Sequence, residues 1–95
     1  MVNVMLSVDV VGETWCAGFK KRFQMPALLP VGSLLVIHGL FDLPLELYVE
    51  QYFWESTDDF VNVTMKRIGA AESETLDEWR KDFEAAGWTL DHPLN

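Results

Sequence analysis

Residues 45–68 read LELYVEQYFWESTDDFVNVTMKRI, and the way this stretch folds decides the architecture of the chain. From Leu45 to Trp54 the side chains fall into two rows, because successive residues of a strand point to opposite faces. Leu45, Leu47, Val49, Gln51 and Phe53 form a mainly apolar row, while Glu46, Tyr48, Glu50, Tyr52 and Trp54 mix carboxylates with amphipathic rings. The run Glu55-Ser56-Thr57-Asp58-Asp59 is polar and rich in residues whose side chains bond to nearby backbone in turns. Phe60 to Ile68 then alternates again. The stretch predicts a β-hairpin with a five-residue loop. In that register Trp54 faces Phe60, Tyr52 faces Asn62, Glu50 faces Thr64 and Tyr48 faces Lys66. Phe53 with Val61, Gln51 with Val63 and Val49 with Met65 pair on the apolar side. A slip of one residue would scramble the sorting, so the pattern specifies its register.

The mixed face is the candidate partner surface: Glu46, Tyr48, Glu50, Tyr52 and Trp54, with Phe60 from the second strand. The simpler reading is a solvated sheet face with Glu50 and Lys66 in a weak diagonal ion pair. The functional reading is an aromatic and acidic platform for a basic or sugar-like partner, since amphipathic rings are enriched at interfaces.

Composition bounds the rest. Ninety-five residues predict one globular domain, 1–95, able to bury roughly two-thirds of the surface its unfolded chain exposes. An apolar content of 49% with four tryptophans excludes disorder for most of the chain. It also raises self-association, because the core of so short a chain has little room for more. The single cysteine, Cys16, allows no intrachain disulfide and reads as a small buried hydrophobe rather than a nucleophile. MVNVMLSVDVV at the start has no positive region and is broken early by Asp9, so it does not read as a signal peptide. No apolar run reaches the length of a membrane span, and a cytoplasmic protein without membrane contact is the default expectation.

The net charge of −8 is unevenly spread. Up to Ile37 two acids (Asp9, Glu13) face three bases, and from His38 onward thirteen acids face four bases. That balance argues against nucleic acid, which demands a basic stripe. Lys20-Lys21-Arg22 is the only basic cluster, and on a strand its members point alternately to opposite faces, a poor phosphate cradle.

Ahead of the hairpin, Val2, Val4, Leu6, Val8 and Val10 alternate with Asn3, Met5, Ser7 and Asp9 and predict a strand with its valines toward the core. A turn at Gly12-Glu13 leads to a second strand, Thr14 to Met25, with Trp15, Ala17, Phe19, Phe23 and Met25 on one face and Lys21 interrupting the row. Gly18 marks a bulge or bend. Pro26 to Gly32 carries two prolines and a glycine, which forces a bending connection whose leucines and Val31 pack over an open end of the sheet. Ser33 to Leu40 resumes as a strand, and its continuous apolar run suits the middle of a sheet covered on both faces. A second loop follows at 39–44.

After Ile68 a linker leads into one helix. Thr75 and Glu78 have the spacing of a capping box, and Leu76, Trp79, Phe83 and Ala86 recur as one apolar stripe. Gly87 fits the left-handed stop, with Trp88 folding back on Phe83. Thr89 onward reads as a short extended tail that frays at His92-Pro93. The expected fold is therefore α+β: a small antiparallel sheet or partly open β-barrel of about five strands, β-β-β-β-β-α, with one C-terminal amphipathic helix.

His38, Asp42 and Glu46 are the one set with catalytic residue types. Their spacing of four would align them on a helix, but Gly39 and Pro44 intervene and no shared geometry follows. No metal site, cofactor motif or glycine-rich phosphate loop stands out, and no catalytic residue is assigned. Catalysis is the less favoured reading. Three functions remain in order: an interaction or assembly module that binds a protein partner or a second copy of itself (a homodimer) through the aromatic, acidic face or a strand edge; an acidic decoy for a basic protein; and a small ligand-binding domain or enzyme.

Overall fold

The computed structural model describes residues 1–38 and 44–94, the last three of these (92–94) through their backbone alone. Residues 39–43 of the loop predicted at 39–44, and with them the far end of the expected third strand, lie outside the described residues. The elements are β1 (Val2–Val11), β2 (Cys16–Met25), β3 (Leu34–Ile37), β4 (Leu45–Phe53), β5 (Val61–Met65), β6 (Ile68–Gly69), α1 (Leu76–Ala85) and β7 (Thr89–Leu94). All five expected strands and the helix are present, but the sheet has seven strands and is mixed, not five and antiparallel. Its order is β3-β4-β5-β1-β2-β7, with β6 continuing along β1 beyond β5. Among the described residues the order has two free ends, β3 and β7.

Alternation in β1 and β2 does what their sequence asks. Val4 pairs with Phe23, Leu6 with Lys21, Val8 with Phe19 and Val10 with Ala17, all on one face. Val4, Leu6, Val8, Val10, Ala17 and Phe19 are buried there, beside Val63 and Met65 of β5 and Leu47 and Val49 of β4. Gly18 sits where the ladder between β2 and β7 shifts register, as its lack of a side chain predicts.

β1 is a central strand, antiparallel to β2 on one side and parallel to β5 on the other. Parallel neighbours cannot be joined by a tight turn. The chain therefore passes from β5 and β6, on one side of the β1–β2 pair, through α1 to β7 on the other side. The helix crosses the inner face on the way and covers it.

Local signals set both ends of α1. Thr75 Oγ1 accepts from the Glu78 amide and Glu78 Oε2 accepts from the Thr75 amide, each at 3.3 Å, which completes the capping box. At the other end Gly87 takes φ +90°, the Gly87 amide bonds to the Glu84 carbonyl (3.0 Å) and the Trp88 amide bonds to the Phe83 carbonyl (2.9 Å). These are the two hydrogen bonds of a Schellman stop. No basic residue lies in the last turn of the helix. Lys21 supplies the charge from β2 instead: its Nζ donates to the Ala86 carbonyl at 2.7 Å, where a cation complements the helix dipole. The lysine that interrupts the apolar row of β2 is thus a tertiary cap. On the outer side of the helix Arg80 is held by Glu84 at 2.8 Å, and that hydrogen bond, reinforced by the carboxylate charge, raises its pKa further.

Aromatic rings join helix to sheet. Phe83 stacks on Phe19 with centroids 4.3 Å apart and meets Trp88 edge-on at 5.2 Å, while Trp79 lies 5.9 Å from Phe83. Phe83 is fully buried, and Trp79 and Trp88 nearly so. Leu28 and Leu29 of the link between β2 and β3 pack against the same core. Val31 does not follow the expectation: it is exposed at the tip of a turn closed by the Ser33 amide on the Pro30 carbonyl, with Gly32 at φ +91°.

Candidate functional site: the free edge and the outer face

The outer face of the sheet has no helix over it. Its composition follows from register. The hairpin of β4 and β5 forms, and Val49 pairs with Met65 as the alternation requires. Beyond that pair the ladder shifts: Gln51 lies opposite Thr64, Tyr52 opposite Val63 and Phe53 opposite Asn62. One extra residue, Glu50, is accommodated as a β-bulge. The expected partners Gln51–Val63, Tyr52–Asn62, Glu50–Thr64 and Phe53–Val61 are therefore wrong by one position. A shift of one exchanges the faces. Gln51 and Phe53 join the outer face, and Tyr52 moves to the side of the buried Val63.

This divides the candidate surface. Glu46 and Tyr48, ahead of the bulge, point outward; Glu50 is the bulged residue; Tyr52 is on the inner side at the sheet margin. β4 ends at Phe53 and β5 starts at Val61, so the loop is longer than five residues and the Trp54–Phe60 pair does not form in the ladder. Trp54 folds over its own turn, its Nε1 donating to the Asp58 carbonyl at 3.0 Å. Phe60 lies under the Arg22 guanidinium at 4.6 Å, and Arg22 also pairs with Asp59 at 3.0 Å. Glu50 and Lys66 form no ion pair. The basic trio separates as expected, with Lys20 on Asp91 (3.0 Å), Arg22 on Asp59 and Lys21 on the helix end.

What the bulge removes from one end of the outer face, β3 supplies at the other. Among the described residues β3 pairs with β4 alone, Leu34 opposite Tyr48 and Val36 opposite Glu46. It is an edge strand, not the covered central strand its apolar run suggested. Leu35 and Ile37 turn inward toward the core, whereas Leu34, Val36 and Tyr48 are 45%, 40% and 44% exposed and Phe53 is 46% exposed. Antiparallel pairing engages the backbone groups of alternate residues, so half the N–H and C=O groups of β3 point away from β4 with no neighbouring strand. An apolar, unpaired edge is a template for another strand, and proteins that do not use one usually keep it very short or blunt it with lysine, proline or a bulge; β3 is four residues long. No lysine, proline or bulge stands within β3. The charged residues of β3 and β4 are Glu46 and Glu50, both acidic.

The other candidate constellations do not assemble. His38 is exposed at the end of β3, Glu46 lies on the outer face, and Asp42 falls outside the described residues. Among the described residues no group of three His, Cys, Asp or Glu side chains is placed to hold a metal ion. Cys16 is half-buried rather than buried. The acids do not gather on one surface. Glu46 lies on the outer face, and Asp77, Glu78 and Glu84 ride on the helix that covers the inner one. No described helix is long and apolar enough to cross a membrane.

No family model matches the chain, and neither a curated protein nor a solved structure is found similar to it.

Proposed function

We propose that the chain is a non-enzymatic interaction module that takes up an extended segment of a partner protein along the free edge of β3. The observation that supports this is an edge strand whose outward side chains, Leu34 and Val36, stay exposed beside Tyr48 on an uncovered face. Added strands of this kind gain affinity from backbone hydrogen bonds and specificity from alternate side chains. The partner segment is one that alternates apolar with basic residues. Its apolar side chains cover Leu34, Val36 and Tyr48, and a basic side chain reaches Glu46, which sits across from Val36 and has no cation of the described residues paired to it. A second copy of the chain offers the same acidic strip and brings a second net charge of −8, so it is the poorer match.

The acidic decoy reading has less support, because the carboxylates are divided between two layers. A fluorescence-anisotropy titration tests the proposal, with labelled peptides alternating valine with lysine and with glutamate as controls. The lysine peptide is expected to bind with a marked salt dependence, and Val36→Lys is expected to abolish binding, since a charge on the edge blocks strand addition. Equal binding of both peptides, binding unchanged in Val36→Lys, or no binding at all would each refute it. A dimeric solution mass that becomes monomeric in Val36→Lys would assign the edge to self-assembly instead.

A further inference from the structure

A second feature lies on the opposite side of β3. The inward residues Leu35 and Ile37 of β3 and Lys21, Phe23 and Met25 of β2 line one cavity of about 340 Å³, floored by Trp88. Three strands separate β3 from β2 in the sheet order, so the sheet must curl to bring them to the same space. The size is that of a small-molecule site, and roughly ten waters would fill it at bulk density. Its walls are mainly apolar, with Gln24, Val36 and the exposed His38 also on the lining and Lys21 as the cation held in place by a hydrogen bond. Lys21 Nζ stands 5.1 Å from the centroid of the Phe23 ring and gives one hydrogen bond to the Ala86 carbonyl, which also borders the cavity. An ammonium has three donors, and no carboxylate of the described residues pairs with Lys21, although acids outnumber bases fifteen to seven in the chain.

We infer that this cavity binds a small hydrophobic monocarboxylate, its carboxylate on Lys21 Nζ and its apolar body between Leu35, Ile37, Met25 and Trp88. The single negative charge follows from the electrostatics of the site. The helix C-terminus at Ala86 is itself partly negative, so Lys21 can neutralise one carboxylate but not a phosphate or a dicarboxylate. Ligand pockets of this make-up, apolar with one convergent charged group, set orientation through the charge and affinity through the walls. The cavity meets the proposed docking edge at Val36, which borders both, but its ligand lies against the inward side chains Leu35 and Ile37.

A titration of isotope-labelled protein with phenylpropanoate, followed by nuclear magnetic resonance, tests the site, with phenylpropanol as the neutral isostere. Phenylpropanoate is expected to shift the Trp88 indole signal and the Leu35 and Ala86 amides to saturation. The alcohol, lacking the charge-assisted hydrogen bond, is expected to bind about tenfold more weakly or worse. Lys21→Met should remove that preference and Lys21→Arg should restore most of it. Leu35→Trp, which fills the cavity from the opposite wall and leaves the ammonium intact, should abolish binding of both compounds, and it keeps the test decisive if Lys21→Met does not fold. Tyr48→Ser, on the outer face and away from the cavity lining, should have no effect. Equal affinity for acid and alcohol, saturable shifts confined to the outer face, or no saturable shift would overturn the inference.

Discussion

Phe83→Ala is the substitution that most severely probes the joint between helix and sheet. The ring is fully buried, stacked on Phe19 and edge-on to Trp88. Truncation removes six ring carbons, and burying such a ring contributes about 1.5–3 kcal/mol from area alone. The two well-oriented aromatic pairs add about 0.5–1.5 kcal/mol each beyond area. The walls are β2 and the turn after the helix, both fixed elsewhere, so the cavity cannot fully collapse. The expected loss is about 3–5 kcal/mol, the range for a buried Phe→Ala change. A chain of 95 residues has a total stability of roughly 5–14 kcal/mol, so the variant should lie near the margin of folding. Each lost kcal/mol lowers the melting temperature of a domain this size by about 4–8 °C, which predicts a drop of more than about 12 °C. Urea melts followed by far-ultraviolet circular dichroism give the free energy, and a thermal melt gives the shift. A loss below about 1 kcal/mol, no larger than that of an exposed cap residue, would show that the helix is not packed on β2 and would refute the layered core.

Further outcomes can be measured on the same melts. Thr75→Ala removes one arm of the capping box and should cost about 1 kcal/mol. Trp79→Ala, from the buried stripe of the helix, should cost about 3–5 kcal/mol. Gly87→Ala forces a Cβ into a left-handed residue (φ +90°) and places it 3.3 Å from Lys21 Nζ, so it should destabilise by about 1 kcal/mol or more. Val36→Lys sits on the exposed edge and should change stability by less than about 0.5 kcal/mol; a larger loss would mean that the side chain is buried in solution.

Local signals carried much of the fold. The alternation of Val2 to Val10, the capping box at Thr75 and the glycine stop at Gly87 each specify a few neighbouring residues, and each appears where the pattern puts it. Long-range pairing leaves no such trace. Nothing in Val61-Asn62-Val63 says that its second neighbour is β1 running parallel, which is why a simple antiparallel meander looked sufficient. His92-Pro93 made the tail look frayed, yet β7 is an edge strand, the place in a sheet where a proline is tolerated.

The candidate site was legible only in part, for two physical reasons. In Glu50-Gln51-Tyr52-Phe53 the rings are amphipathic and tolerate either face, so the alternation reads equally well on both sides of a bulge. A single extra residue there has no compositional mark, and it moved Tyr52 away from Tyr48. In Leu34-Leu35-Val36-Ile37 a continuous apolar run is the pattern of a strand covered on both faces, and the same pattern is found here on an edge with one face bare. The outward Leu34 and Val36 were hidden by that reading. The surplus of large apolar side chains over core volume was the one signal that pointed to them.

Amide hydrogen exchange along β3 tests the docking edge most directly. In the isolated protein one alternate set of the Leu34–Ile37 amides should exchange freely while the set bonded to β4 is protected, and adding the valine–lysine peptide should protect the free set without altering α1. Protection of every β3 amide before any peptide is added, or no change on saturation with it, would contradict an open edge waiting for a partner strand.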